Sequence, residues 1–176
     1  MPGERGAEAE RQLLAALLKG REERASLQKF LLQISPTVLQ ISLNIPGLPK
    51  HLENDALAIQ KTEAALREAG IRPVAKITLT NAAGLCLLLS CSKPAREAKR
   101  ISVSLEENLP WGRALDLDVL TVSGPFSREM LGLPPRDCLL CGDAAKACAR
   151  SGRHAVEEVR VEVTALLASC VKHRDP

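Results

Sequence analysis

The chain has 176 residues and a net charge of +3, with 45% apolar and 26% charged residues; that is the make-up of an ordinary globular protein, long enough for one domain with a substantial core. The mild positive balance suits a phosphorylated small molecule or an acidic protein partner and is too small to argue for nucleic acid. With no tyrosine, one tryptophan and two phenylalanines, there is no platform for stacking bases, so nucleic acid is not an expected partner.

Residues 1–8, MPGERGAE, read as a disordered start. Residues 9–33 read as helical, with Gly20 splitting two segments that pack on the outside of the domain. Their apolar run LLAALL, residues 13–18, is too short to span a bilayer and lies among charges; no secretory signal is visible. No membrane partner and a cytoplasmic location are therefore expected, where six cysteines are reduced thiols or metal ligands rather than disulfides.

From Thr37 the pattern changes to period two. Leu39, Ile41, Leu43 and Ile45 alternate with Gln40, Ser42 and Asn44, which predicts a half-buried strand ending in PGLPK, residues 46–50. A helix follows over residues 51–70, with Leu52, Ala56, Ile59 and Leu66 on one face and Gly70 as C-cap. Residues 74–80 and 84–91 form a predicted hairpin around NAAG. Pro94 opens a second helix with Ala98, Ile101 and Leu105 as its apolar stripe. The fourth strand is WGRALDLDVLTV, residues 111–122.

The order β-α-β-β-α-β is that of a ferredoxin-like core within an α+β fold. Residues 9–176 are expected to form one domain. Its core covers about residues 36–123, with N-terminal helices before it. A C-terminal helical, cysteine-containing cap follows over about residues 124–173, ending in a helix at residues 155–171 that buries Val156, Val159, Val163, Leu166 and Cys170.

Aspartate is depleted in strands, yet Asp116 and Asp118 lie two apart in the fourth one and share a face, opposite Leu115, Leu117 and Val119. Two readings stay open on the residues alone. The pair is a solvated sheet face, or it is neutralised by Mg²⁺, a hard cation held by one or two carboxylates plus substrate phosphates. On the second reading the pair is catalytic and metal-binding. Arg113, Arg128, Arg136 and Lys50 are then the candidate phosphate contacts.

GRALDLDV, with NIPGLPK upstream and FSREMLGLPPRDCLLCGDAAKACARSGRH downstream, resembles the citrate lyase phosphoribosyl-dephospho-CoA transferase family, the apo-citrate lyase nucleotidyltransferases. Pro46, Gly47 and Lys50 match its PG turn. Gly112, Arg113, Asp116, Asp118 and Val119 match its GRLxDxDV strand, and Ser127 and Arg128 its SR pair. Pro135, Arg136, Cys138, Leu139, Cys141, Cys148, Ala149, Arg150 and His154 match the rest. Ala114 departs from the pattern, where a larger apolar residue is usual. The resemblance spans roughly residues 20–172 and implies transfer of a prosthetic group. The donor is 2'-(5''-triphosphoribosyl)-3'-dephospho-CoA, the acceptor a serine of the citrate lyase acyl carrier (gamma) subunit, and pyrophosphate leaves. It implies a catalytic Arg113 beside the aspartates and substrate contacts from Lys50, Arg128, Arg136 and Gly112. The same strand is similar to the DLD segment of hydroxymethylpterin pyrophosphokinases, which binds two Mg²⁺ with ATP on a ferredoxin-like fold. No general base stands out: His51 and His154 are not adjacent to the aspartates, and an aspartate or a metal-lowered serine pKa could serve.

Cys138, Cys141, Cys148 and His154 form C-x2-C-x6-C-x5-H. The knuckle is zinc-like, so a structural Zn²⁺ is one expectation and a set of small buried hydrophobes the other. Cys86, Cys91 and Cys170 fall in apolar patterns and read as core. The alternatives to citrate lyase modification are a related transferase for another carrier, of the malonate decarboxylase type, and a zinc-stapled binding module without activity.

Overall fold

The computed structural model describes residues 2–173, with side chains from residue 7 onward. In chain order the elements are α1 (Pro2–Leu32), β1 (Thr37–Leu43), α2 (Asp55–Glu68), β2 (Pro73–Asn81), β3 (Gly84–Cys91), α3 (Ala95–Asn108), a 3-10 turn (Gly112–Ala114), β4 (Leu115–Thr121), β5 (Gly124–Pro125), a second 3-10 turn (Glu129–Leu131), α4 (Ala145–Ser151) and α5 (Val156–Lys172). β1 pairs antiparallel with β3 on one side, Ile41 opposite Leu87, and with β4 on the other, Ile41 opposite Leu117. With β2 on β3 and the short β5 on β4, the sheet order is β2-β3-β1-β4-β5. The fold is α+β, as the alternation of periods implies; β5 falls at the start of the segment expected to form the helical cap.

Alternation along each strand sorts the residues into two layers. Leu39, Ile41, Leu87, Leu89, Leu115, Leu117 and Val119 face one core, packed under Ile59 and Leu66 of α2, Ala98 of α3, and Val163, Leu167 and Cys170 of α5. Val38, Cys86 and Leu88 face the other way, against Leu27 and Leu31 of α1. Each such leucine taken fully from water contributes roughly 1.5–3 kcal/mol. Trp111 is 1% exposed and donates from Nε1 to Thr62 Oγ1 at 2.9 Å, tying the turn before β4 to α2. Cys86, Cys91 and Cys170 are buried, as expected.

The second layer corrects several expectations. β1 is not half-buried: α1 lies across its polar face, leaving Gln40 4% and Ser42 6% exposed. α1 runs from Pro2 to Leu32 and is continuous through Gly20, where a split was expected; Met1 of the expected disordered start lies outside the described residues. Gly20 is a contact point rather than a break. A Cβ there would lie 2.5 Å from Asn81 Oδ1, and Asn81 Nδ2 donates to the Gly20 carbonyl at 3.3 Å.

α2 starts at Asp55, after Asn54 in the left-handed region (φ 67°), and buries Ala58, Ile59, Thr62 and Leu66, while Ala56 points outward. α3 buries Lys99, Ser102 and Glu106 along with Ala98 and Val103, leaving Ile101 and Leu105 half-buried. On α5 the buried positions are Val163, Leu167 and Cys170; Val156 is exposed. The fourth strand begins only at Leu115, because Gly112–Ala114 turn. Gly112 packs there against the end of α3: an added Cβ would meet Leu105 O at 2.5 Å and Glu106 O at 2.6 Å.

Candidate active site

β4 sets the aspartate pair opposite polar residues of β1, Asp116 across from Ser42 and Asp118 across from Gln40. Both carboxylates lie on the α1 side of the sheet, the face opposite Leu115, Leu117 and Val119. Gln40 Nε2 donates to Asp118 Oδ2 at 3.1 Å, and Gln40 Oε1 accepts from Gln28 Nε2 of α1 at 2.7 Å. Asp118 is therefore covered, and burial together with the charge of Asp116 pushes its pKa up to about 6.

Asp116 opens into a cleft of about 140 Å³ between α1, the end of β1 and the β2–β3 turn. Arg21 and Arg24 of α1, Ser42, Asn44, Lys50 and Asp55 share its lining. Lys50 Nζ donates to Ile45 O at 2.6 Å. Burial, with the charges of Arg21 and Arg160 nearby, holds its pKa below the usual lysine value. Arg24 donates from Nη2 to Ala83 O at 3.2 Å, while its Nε is buried with no acceptor among the described residues. His51 joins the rim: Nδ1 lies 3.1 Å from Asp55 Oδ2 and Nε2 3.2 Å from Asn81 O. Arg160 of α5 clasps the PG turn through Pro46 O at 2.9 Å and His51 O at 3.3 Å.

Arg21, Arg24, Ser42, Asn44 and Asp55 are the polar cleft residues that the motif-based choice of site residues leaves out. A usable signal does exist for Arg24. With Gln28 and Leu31 it follows the i, i+4, i+7 spacing of one helix face, the face that meets the sheet.

The other candidate cations lie elsewhere. Arg113, Arg128 and Arg136 line a separate cavity of about 270 Å³ with Glu106, Glu107 and Asp137, and none of these lines the Asp116 cleft. Arg136 donates to Leu115 O at 2.8 Å and to Arg113 O at 3.2 Å. Glu106 Oε1 accepts the Leu117 N–H at 2.9 Å, and Lys99 Nζ donates to Leu117 O at 2.8 Å. Arg128 Nη1 lies 3.3 Å from Glu106 Oε2, and Arg136 Nη1 3.6 Å from Glu106 Oε1. Side chains thus take backbone groups of β4 before β5 joins it, because buried N–H and C=O groups must be paired. That is why α3 buries Lys99 and Glu106. Arg113 reaches the other way, donating to Asp137 O at 2.9 Å and Cys138 O at 3.2 Å.

The cysteine motif closes on itself. One ligand-type atom each from Cys138, Cys141, Cys148 and His154 lies within 4.8 Å of all the others. His154 is therefore part of this cluster and does not line the Asp116 cleft. No helix among the described residues is long and apolar enough to cross a membrane.

Comparison with known proteins gives the chemistry its class. A family model for apo-citrate lyase phosphoribosyl-dephospho-CoA transferase matches residues 12–170. A probable apo-citrate lyase phosphoribosyl-dephospho-CoA transferase of Streptococcus pyogenes serotype M18 is 38% identical over 166 residues, covering 89% of this chain and 85% of its own. The apo-citrate lyase phosphoribosyl-dephospho-CoA transferase of Escherichia coli O7:K1 is 36% identical over 157 residues, 86% of each chain. Protein CitXG of Haemophilus influenzae is 35% identical over 159 residues, 87% of this chain but 34% of that longer one. The protein is an enzyme, a transferase. It belongs to the apo-citrate lyase phosphoribosyl-dephospho-CoA transferase family.

Proposed function

We propose that this transferase moves the 5''-phosphoribosyl-3'-dephospho-CoA group from 2'-(5''-triphosphoribosyl)-3'-dephospho-CoA onto a serine of the citrate lyase acyl carrier (gamma) subunit, in the cleft between α1 and β4. The serine oxygen bonds to the phosphorus nearest the ribose, the bond from that phosphorus to the next bridging oxygen breaks, and pyrophosphate leaves. One observation carries the reading most strongly. Arg24 Nε is buried with no acceptor among the described residues, in a cleft where Arg21, Lys50 and Asp116 also converge; Arg128 Nε in the second cavity is likewise unpartnered, but its guanidinium is already neutralised by Glu106 and Glu107. A buried unpaired donor is costly, and a phosphate oxygen would satisfy it. The β-α-β-β-α-β order with antiparallel neighbours supports our assignment of the core as ferredoxin-like.

Two carboxylates side by side, with the Ser42 hydroxyl next to them, form an all-oxygen donor set that fits Mg²⁺. Asp116 and Asp118 would hold it, and when bound it supplies positive charge to the phosphoryl oxygens and to the departing pyrophosphate. The protein's own work is positional. Arg21, Arg24 and Lys50 neutralise the triphosphate and set its direction. Asp55, held by His51, lies in the same cleft as the carboxylate that takes the serine proton. Arg136, Lys99 and Glu106 act through β4, keeping the aspartates in register, and are positioning residues.

Arg24→Gln tests the placement of the donor. Charge-assisted hydrogen bonds contribute roughly 1.5–3 kcal/mol, so KM for the triphosphoribosyl donor is expected to rise about tenfold to a hundredfold, with a smaller change in kcat. An unchanged KM in steady-state assays would move the donor out of this cleft.

A further inference from the structure

We propose that Cys138, Cys141, Cys148 and His154 bind a structural Zn²⁺ that fastens the segment of residues 136–154 to the start of β4. The proposal does not depend on the identity of the transferred group.

The distances fit a closed tetrahedral site. Zn–S bonds of about 2.3 Å and Zn–N bonds of about 2.0–2.1 Å at tetrahedral angles require S···S separations near ~3.8 Å and S···N near ~3.6 Å. Cys141 Sγ lies 3.5 Å from Cys148 Sγ and 3.3 Å from His154 Nε2. Such contacts are far too long for a disulfide, whose S–S bond is about 2.05 Å. A disulfide would also use only two of the three thiols. Three thiolates and an imidazole are a ligand set that zinc prefers.

The local fold needs a staple. α4 has seven residues, and Cys148 is the only one buried; isolated helices shorter than about 12 residues do not hold themselves in water. Leu140 is 37% exposed, and Leu139, the segment's other leucine, is the one that packs against the main core. The backbone is drawn in around the thiols: Cys138 N donates to Asp143 O at 2.6 Å, and Asp137 bridges to Ala144. Apolar burial here is too small to offset the entropy of ordering the segment, whereas a metal cross-link supplies that stabilisation directly. Arg113, by donating to Asp137 O and Cys138 O, links the stapled knuckle to the turn that precedes the aspartate strand.

The test uses the full chain purified without chelator, with zinc measured by mass spectrometry of the metal. The expected result is about one zinc per chain, and a fall in Tm of about 10 °C or more when a strong chelator removes it. Cobalt added to the metal-free protein should then give the thiolate charge-transfer and intense visible bands of a tetrahedral sulfur-rich site. Cys141→Ser should lose the zinc. If that variant does not fold, the wild-type measurements decide alone. Wild-type protein that takes up less than about 0.2 equivalent from zinc-buffered solution, or a cobalt spectrum without thiolate bands, overturns the proposal. So does full zinc retention by folded Cys141→Ser.

Discussion

Asp116→Asn is expected to lower prosthetic-group transfer by about three orders of magnitude or more without changing the circular dichroism spectrum. Asn keeps the size of Asp116 and removes the charge, and Asp116 is the member of the pair that lines the cleft. Asp118→Asn should lose activity to a similar extent and carry a second signature, a gain in stability. Burial and the charge of Asp116 raise the folded pKa of Asp118 from 3.8 to about 6. For a group raised in this way, the stability it contributes is fully present below 3.8 and is lost as pH rises through about 6. Asparagine has no ionised form to bury. In the absence of added divalent cation, Asp118→Asn should therefore be more stable than the parent above pH ~6, by on the order of 1–3 kcal/mol, and the two should converge towards acid. Urea melts across that range measure the gap. Wild-type-like turnover in either variant would mean that the pair is only a polar sheet face.

Glu106→Ala should cost about 3–5 kcal/mol of stability, the range found when one partner of a buried ion pair is removed. Glu106 is 3% exposed and serves three groups: the Leu117 N–H, Arg128 and Arg136. Truncation leaves the Leu117 N–H without its acceptor, takes the carboxylate away from Arg136 and leaves Arg128 with Glu107 alone. Glu106→Gln keeps an acceptor for Leu117 and should fall between alanine and wild type. Because the affected edge belongs to β4, activity should fall further than the unfolded fraction alone explains. A loss below about 1 kcal/mol for Glu106→Ala would show that the α3–β4 edge does not hold the aspartate strand.

What was legible in the sequence is what depends on local pattern. The alternation in LQISL and LDLDV places the two aspartates on one face and the leucines on the other. The NAAG turn and Gly70 close their elements as turn chemistry requires. The cysteine spacing is local too, and its four residues do meet. What was not legible depends on docking at long range. The i, i+4, i+7 spacing of Arg24, Gln28 and Leu31 marks one face of α1 but not what that face docks against, so the pattern in residues 9–33 does not by itself join Arg21 and Arg24 to Asp116. Arg113, Arg128 and Arg136 sit next to the aspartates in the motif, yet they serve backbone groups, carboxylates and the knuckle. Arg113 lies in the 3-10 turn before β4, and Arg128 and Arg136 follow β5 in the segments that wrap the far edge of β4, so nearness in sequence does not bring them into the Asp116 cleft. The polar stripe of α3, with Lys99 and Glu106 inward, looks like a solvated face until the unpaired edge of β4 is known.

The most direct measurement is the intact mass of the apo carrier subunit after incubation with the full chain, the triphosphoribosyl donor and Mg²⁺. The expected result is a gain equal to phosphoribosyl-dephospho-CoA, with one pyrophosphate released per carrier modified, and no gain when the acceptor serine is replaced by alanine. An unmodified carrier in the presence of authentic donor, or a gain equal to pyrophosphate alone, would contradict transfer of the prosthetic group.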